Sequence, residues 1–239
     1  MGRTLNRMLD RIHELVGGIQ SSTDAIAHDL RTPLMRLRTR LEQARLESND
    51  EAVKAKIDAA VAEADQLMTT FNSLLRLARI ESVQDLPAER VSLDEVLGDA
   101  VEMWQAVAEA RGQAFETAIE PARVAGDRDL LFQMLSNLLD NAIKYGDPAG
   151  RIRVALRTVG DRVLLSISDQ GPGIATEMRE RVFDRFVRGD SHRGTPGTGL
   201  GLSVVRAIAI RHGAELHLES ADPGLSVRLQ FPLAPAEGK

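Results

Sequence analysis

Apolar residues recur at spacings of three and four from residue 21 to residue 79: Ile26, Leu30, Leu34, Leu37 and Leu41, then Val53, Ile57, Ala60, Ala64, Leu67, Phe71, Leu74 and Ala78. A period near 3.6 puts each set on one face, so the pattern predicts two amphipathic helices. The period lapses over 46–51 (LESNDE), where Ser48, Asn49 and Asp50 are N-cap candidates, and so short a connection makes the helices antiparallel neighbours. A helical hairpin leaves its apolar stripe half covered. A second copy would cover it as a two-fold four-helix bundle, so a homodimer is expected. Ahead of the hairpin, Leu5, Met8, Leu9, Ile12, Leu15 and Val16 carry another helical stripe, interrupted at Gly17 and Gly18. Behind it, 81–89 (ESVQDLPAE) has no apolar period and contains Pro87, so a linker is expected there.

Past the linker the periodicity is mixed. Ser92 to Glu95 reads as a capping box opening a helix to about Arg111, followed by a short strand near 113–119 and a helix over 129–145. Residues 152–158 and 163–168 alternate around Gly160-Asp161, and 216–220 and 225–231 flank Asp222-Pro223-Gly224, which predicts two hairpins. A third helix is expected over 199–211. Hairpins segregated from helices predict an α+β sandwich, with helices on one face of a largely antiparallel sheet.

Composition narrows the function classes. With 43% hydrophobic and 27% charged residues in 239, wholesale disorder is excluded. A formal charge of -5 gives no general attraction for nucleic acid, so no nucleic-acid partner is expected. The absence of cysteine excludes disulfides and thiolate metal sites, and it suits a reducing compartment such as the cytosol. No apolar run approaches the ~18 to 20 residues of a membrane span, and the N-terminus lacks the apolar core of a signal peptide.

Three segments of the second half carry candidate chemistry: Asn137 to Asn141, then Asp169 to Gly173, then Gly197 to Leu202. Each glycine cluster alone reads as a turn. Gly197, Thr198, Gly199, Leu200 and Gly201, however, precede an apolar helical run, an arrangement in which free backbone N–H groups receive phosphate oxygens. Asn137 and Asn141 lie one helical turn apart; they are either two surface amides or oxygen ligands for Mg²⁺ held together with waters and phosphates. Lys144 offers a charge for phosphate, and Tyr145, the one tyrosine, a ring able to cover a purine. Asp169 either initiates a turn or accepts from the exocyclic amine of adenine.

The order of these segments identifies a resemblance. Residues 137–145 (NLLDNAIKY) resemble the N-box of the GHKL ATPases, 169–174 (DQGPGI) their G1 box with Gly171 and Gly173, 182–186 (VFDRF) the F-box, and 197–202 (GTGLGL) the G2 box. Residues 26–34 (IAHDLRTPL) look like the H-box of HisKA-type sensor histidine kinases, and 5–12 (LNRMLDRI) like the closing helix of a HAMP linker. The resemblance covers residues 21 to 239. It implies ATP and Mg²⁺ as cofactors, His28 as acceptor of the γ-phosphoryl group, and Asp29 as acceptor of the proton from the other ring nitrogen. Pro33 removes the N–H that would pair with the Asp29 carbonyl and so distorts the turn. Thr32 matches the offset at which the family's phosphatase-competent members carry Thr or Asn. The stretch 176–199, with Arg179, Arg181, Arg185, Arg188 and Arg193, resembles the family's ATP lid, and which arginine meets phosphate is left open. His13, His192, His212 and His217 have no ligand-like partners and are assigned to structure or solvent.

The expected organisation is the end of a HAMP-like helix (1–20), a dimerisation and histidine phosphotransfer domain (21–86) and a catalytic ATP-binding domain (87–239). The expected reaction is autophosphorylation of His28, then transfer to an aspartate of a separate response regulator receiver domain. A phosphatase-dominant enzyme and a non-catalytic ATP-responsive dimeric scaffold are the alternatives. Sensor and membrane-spanning segments are expected before Met1, which would make this the cytoplasmic portion of a bacterial inner-membrane protein.

Overall fold

The computed structural model describes residues 32–82, 89–187 and 198–234. The chain divides into two compact units, Met1–Gln84 and Asp85–Lys239. None of the described helices is long and apolar enough to cross a membrane.

In the first unit, helix α1 occupies 32–47 and α2 spans Glu51–Ser82. Of the three N-cap candidates, Asp50 acts: its Oδ1 accepts from the N–H groups of Ala52 (2.8 Å) and Val53 (3.4 Å). Arg38 pairs with Asp65 at 3.4 Å and Arg45 with Asp58, so advancing along α1 means retreating along α2, and the helices are antiparallel. One partner helix covers only part of each stripe. Ala64, Leu77 and Ile80 are buried, whereas Met35, Leu37, Val53 and Leu67 stay 41–56% exposed. Helix α2 runs two residues into the expected linker, because Leu77 and Ile80 continue its apolar spacing beyond Leu74.

The second unit contains β1 (Arg90–Ser92), α3 (Leu93–Glu109), β2 (Ala114–Ile119), β3 (Arg123–Ala125), α4 (Arg128–Tyr145), β4 (Arg151–Val159), β5 (Arg162–Ser168), α5 (Gly201–Arg211), β6 (Glu215–Ser220) and β7 (Leu225–Pro232), with short 3₁₀ turns at Thr176–Met178 and Arg181–Phe183. The main sheet has the order β2-β4-β5-β7-β6, and only β2 and β4 run parallel. Its inner face is apolar: Ile152, Val154 and Leu156, then Val163, Leu165 and Ile167, then Val227, Leu229 and Phe231 are all at least 93% buried. Helix α4 packs between α3 and α5 over this layer, burying Leu131, Met134, Leu135, Leu138, Leu139 and Ile143. The outer face is solvated and charged. Glu116 there pairs with Arg151 and Arg153, and Glu219 with Arg228.

Two further expectations are corrected. The capping box at Ser92 does not form: Ser92 is the last residue of β1, paired with Arg123, and its side chain caps nothing. The Asp94 carboxylate accepts from the Ala122 N–H at 3.2 Å instead. The two-stranded β1–β3 sheet, invisible in three-residue segments, thus takes the place of a local cap. Helix α5 opens at Gly201 and not Gly199, because Gly199 (φ 69°) lies in the left-handed region that a right-handed helix excludes.

Candidate functional site

The N-box helix is positioned by its own first turn. Asp127 caps α4, its Oδ1 accepting from the N–H groups of Asp129 (2.9 Å) and Leu130 (3.1 Å), and seven buried apolar residues hold one face against the core. That leaves Asn137 and Asn141 half-buried on the other face, neither with a hydrogen-bond partner among the described residues. Both look onto the start of α5. A Cβ built on Gly201 would stand 3.7 Å from Asn141 Nδ2, 3.8 Å from Asn141 Oδ1 and 3.9 Å from Asn137 Oδ1. The helix N-terminus, with N–H groups that have no intrahelical acceptor, therefore opens beside two amide oxygens. Leu200 occupies the N-cap position without a side-chain cap, and the Thr198 hydroxyl accepts from the Leu200 N–H at 3.3 Å.

Asp169 directly follows β5 and is 92% buried. Its Oδ1 accepts from the Gly171 N–H (2.8 Å) and the Leu225 N–H (3.4 Å), while Oδ2 has no partner among the described residues. Burial pushes its pKa above the usual aspartate value, and the backbone donors oppose that shift. Two close approaches fix the carboxylate. A Cβ on Gly171 would fall 2.1 Å from the Tyr145 carbonyl oxygen, and one on Gly224 would fall 1.9 Å from the Asp169 carbonyl oxygen. The end of the N-box helix, the G1 turn and the β6–β7 turn are thus locked in backbone contact. Gly173 (φ 70°) takes a conformation that suits glycine.

The other candidates are placed as follows. Lys144 is paired with Asp140 at 2.5 Å, so its ammonium reaches a phosphate only by sharing that carboxylate. Tyr145 ends α4, half-buried. Thr32 and Pro33 begin the described part of α1, with Thr32 half-exposed. His28, Asp29 and Gly197 lie outside the described residues, as do Arg188, Arg193, His13 and His192. Of the other lid arginines, Arg179 donates to the Ile174 carbonyl at 3.2 Å. His217 is exposed beside Glu215, whereas His212 is structural, with Nε2 accepting from the Asp127 N–H at 3.2 Å and Nδ1 2.8 Å from the Ile208 carbonyl.

Sequence reasoning missed Gly224, Gly146 and Gln113. Gly224 was visible only as a turn glycine, and nothing local signals a contact with Asp169 more than fifty residues away. None of the described residues forms a group of three His, Cys, Asp or Glu side chains able to hold a metal ion. A divalent ion here would need the amide oxygens of Asn137 and Asn141 together with ligand phosphates. The open cradle at Gly201, which a Cβ would fill, and the hard neutral oxygen donors fit Mg²⁺ and a nucleoside triphosphate.

Comparison with known proteins matches both units of the chain. Residues 126–235 match the histidine kinase-, DNA gyrase B-, and HSP90-like ATPase family, and residues 20–83 match the His Kinase A (phospho-acceptor) domain. The chain is 34% identical to the sensor protein RstB of Escherichia coli over 94% of its own length and 51% of that protein's. It is 36% identical to the signal transduction histidine-protein kinase/phosphatase MprB of Mycolicibacterium vanbaalenii, over 84% of this chain and 43% of the relative. The chain thus spans about half the length of the curated relatives it matches. Among solved structures, the mycobacterial sensor histidine kinase MprB is 35% identical with a TM-score of 0.55, covering 62% of this chain and 99% of that one. Full-length ShkA in complex with AMPPNP is 26% identical with a TM-score of 0.71, covering 91% of this chain and 47% of that one.

Proposed function

The chain belongs to the sensor histidine kinases, and on that premise we propose that it binds ATP with Mg²⁺ on its second unit, phosphorylates His28, and passes the group to an aspartate of a response regulator receiver domain. The observation that carries this reading is the convergence of Asn137, Asn141 and the α5 N-terminus on one open cradle, with the free Oδ2 of Asp169 at the end of the adjacent strand. Mg²⁺, when bound, neutralises developing phosphate charge. The chain's own residues do the rest. Asp169 accepts a hydrogen bond from the adenine amine and orients the base, the backbone N–H groups of Gly199 and Gly201 receive phosphate oxygens, and Tyr145 covers the base.

A ring nitrogen of neutral His28 attacks the γ-phosphorus, the bond to the β–γ bridging oxygen breaks, and ADP leaves. The proton on the other ring nitrogen passes to Asp29. The apolar side chains left exposed on α1 and α2 support homodimerisation through the first unit. Anchoring to a membrane through segments preceding residue 1, with this portion on the cytoplasmic side, completes the reading. A phosphatase activity toward the same regulator is the second reading. It is favoured by the half-exposed Thr32 and by the kinase/phosphatase description of MprB.

Incubation with γ-labelled ATP and Mg²⁺ tests the main reading. Acid-labile, alkali-stable label on His28 is expected. Nucleotide binding without label would overturn the kinase reading and support the non-catalytic scaffold, leaving the phosphatase to be tested on the regulator. Sedimentation of the full chain at micromolar concentration tests the dimer, and a monomer there would remove it.

A further inference from the structure

The C-terminal turn of the N-box helix is not finished by its own sequence. Gly146 returns one hydrogen bond, from its N–H to the Ala142 carbonyl, and the next carbonyls need outside donors. They find them on the loop between α3 and β2. Gln113, only 2% exposed, donates from Nε2 to the Ile143 carbonyl (3.2 Å) and to the Asp147 carbonyl (3.1 Å). Arg111 Nη2 lies 3.4 Å from the Lys144 carbonyl, and the Ala149 N–H donates back to the Arg111 carbonyl at 3.2 Å. Two side chains some thirty residues upstream thus grip the carbonyls of Ile143, Lys144 and Asp147, on either side of Tyr145.

The grip is close to the base-reading carboxylate. A Cβ on Gly146 would sit 3.2 Å from Gln113 Nε2 and 3.4 Å from Asp169 Cβ, so Gly146 is the spacer between the two side chains. Gln113 Oε1 is buried and has no hydrogen-bond partner among the described residues. A carboxamide that leaves an acceptor unpaired in the core is a poor choice for stability alone, where an apolar side chain of the same shape avoids that cost.

We infer that Gln113, assisted by Arg111, is a positioning residue for nucleotide recognition: its amide sets the distance between the end of the N-box helix and Asp169, and with it the fit of the adenine base. The inference rests on the proposed nucleotide site. Removing the donors frees residues 143–147 to shift against the Asp169–Gly171 turn, which weakens ATP binding and relaxes discrimination against GTP.

The test is calorimetric titration of the full chain with ATP and with GTP, both with Mg²⁺. Gln113→Met keeps side-chain volume and removes both donors. It should weaken ATP binding about tenfold, equivalent to roughly one lost buried hydrogen bond, and lower the ATP-to-GTP affinity ratio. Arg111→Met, at an exposed position, should move both readouts in the same direction by about threefold. A purely structural role lowers the melting temperature without changing the ratio. Folded Gln113→Met with wild-type affinity and ratio overturns the inference. If that variant does not fold, an unchanged ratio in Arg111→Met overturns it. Failure of the wild-type chain to bind ATP would instead overturn the nucleotide reading itself.

Discussion

Replacing Gly201 by alanine separates the fold from the site, because the structure assigns the change opposite signs for the two. Gly201 is the first residue of α5, with no left-handed φ, so alanine takes its backbone conformation without strain. The added Cβ meets nothing nearer than 3.7 Å, ordinary van der Waals contact. Alanine also narrows the unfolded ensemble and suits a helix, which stabilises by about 0.5 kcal/mol. For a unit of this size that raises the melting temperature by about 1 to 2 °C.

The same methyl stands 3.8 and 3.9 Å from the Oδ1 atoms of Asn141 and Asn137. A metal reaches such oxygens at about 2.1 Å and brings its phosphate oxygens with it, so any ligand atom bridging the two amides competes for that space. Losing one such charge-assisted contact costs about 1.5 to 3 kcal/mol, or about tenfold to a hundredfold in ATP affinity. Calorimetric melting and ATP titration in Mg²⁺ read the two effects on one sample. Wild-type affinity in Gly201→Ala would refute the placement of phosphates in this cradle. A melting temperature lowered by several degrees would refute the packing argument.

The other predictions follow the same geometry. Asn141→Ala should lose Mg²⁺-dependent ATP binding by at least about tenfold with little change in melting, since its amide has no partner among the described residues; unchanged titration curves would return Asn141 to the helix surface. His28→Gln should abolish acid-labile label and keep ATP affinity, whereas Thr32→Ala should keep the label and slow dephosphorylation of the regulator; parallel loss of both activities in Thr32→Ala would point to a distorted helix. Asp169 titrates above the usual aspartate range, so ATP affinity should fall on acidification earlier than an ordinary carboxylate dictates, and Asp169→Asn should flatten that limb; an unchanged limb contradicts the role. Burial lowers the His212 pKa in the folded state, so the unfolded chain takes the proton first. Its contribution to stability is intact above about pH 6.5 and declines as pH falls toward the depressed value, and equal acid sensitivity of melting in His212→Gln would contradict this.

Sequence alone determined whatever depends on period and local chemistry. The 3.6-residue stripes of α2 and α4, the alternation of β4, β5 and β7, and the turns at Gly160 and Gly224 were legible because each is decided within a few residues. The ordered motifs were legible too, since a glycine before a helix or two asparagines one turn apart has meaning before folding. Ser92 marks where that reading stops: its local capping signal lost to pairing with Arg123, because a strand contact from thirty residues away satisfies the same backbone. Tertiary structure alone decided that Gly201 faces Asn137 and Asn141 across two helices, that Gly224 abuts Asp169, and that Gln113 finishes the N-box helix. Those contacts join segments separated by thirty to sixty residues, and backbone hydrogen bonds and close approaches of that range leave no periodic trace along the chain.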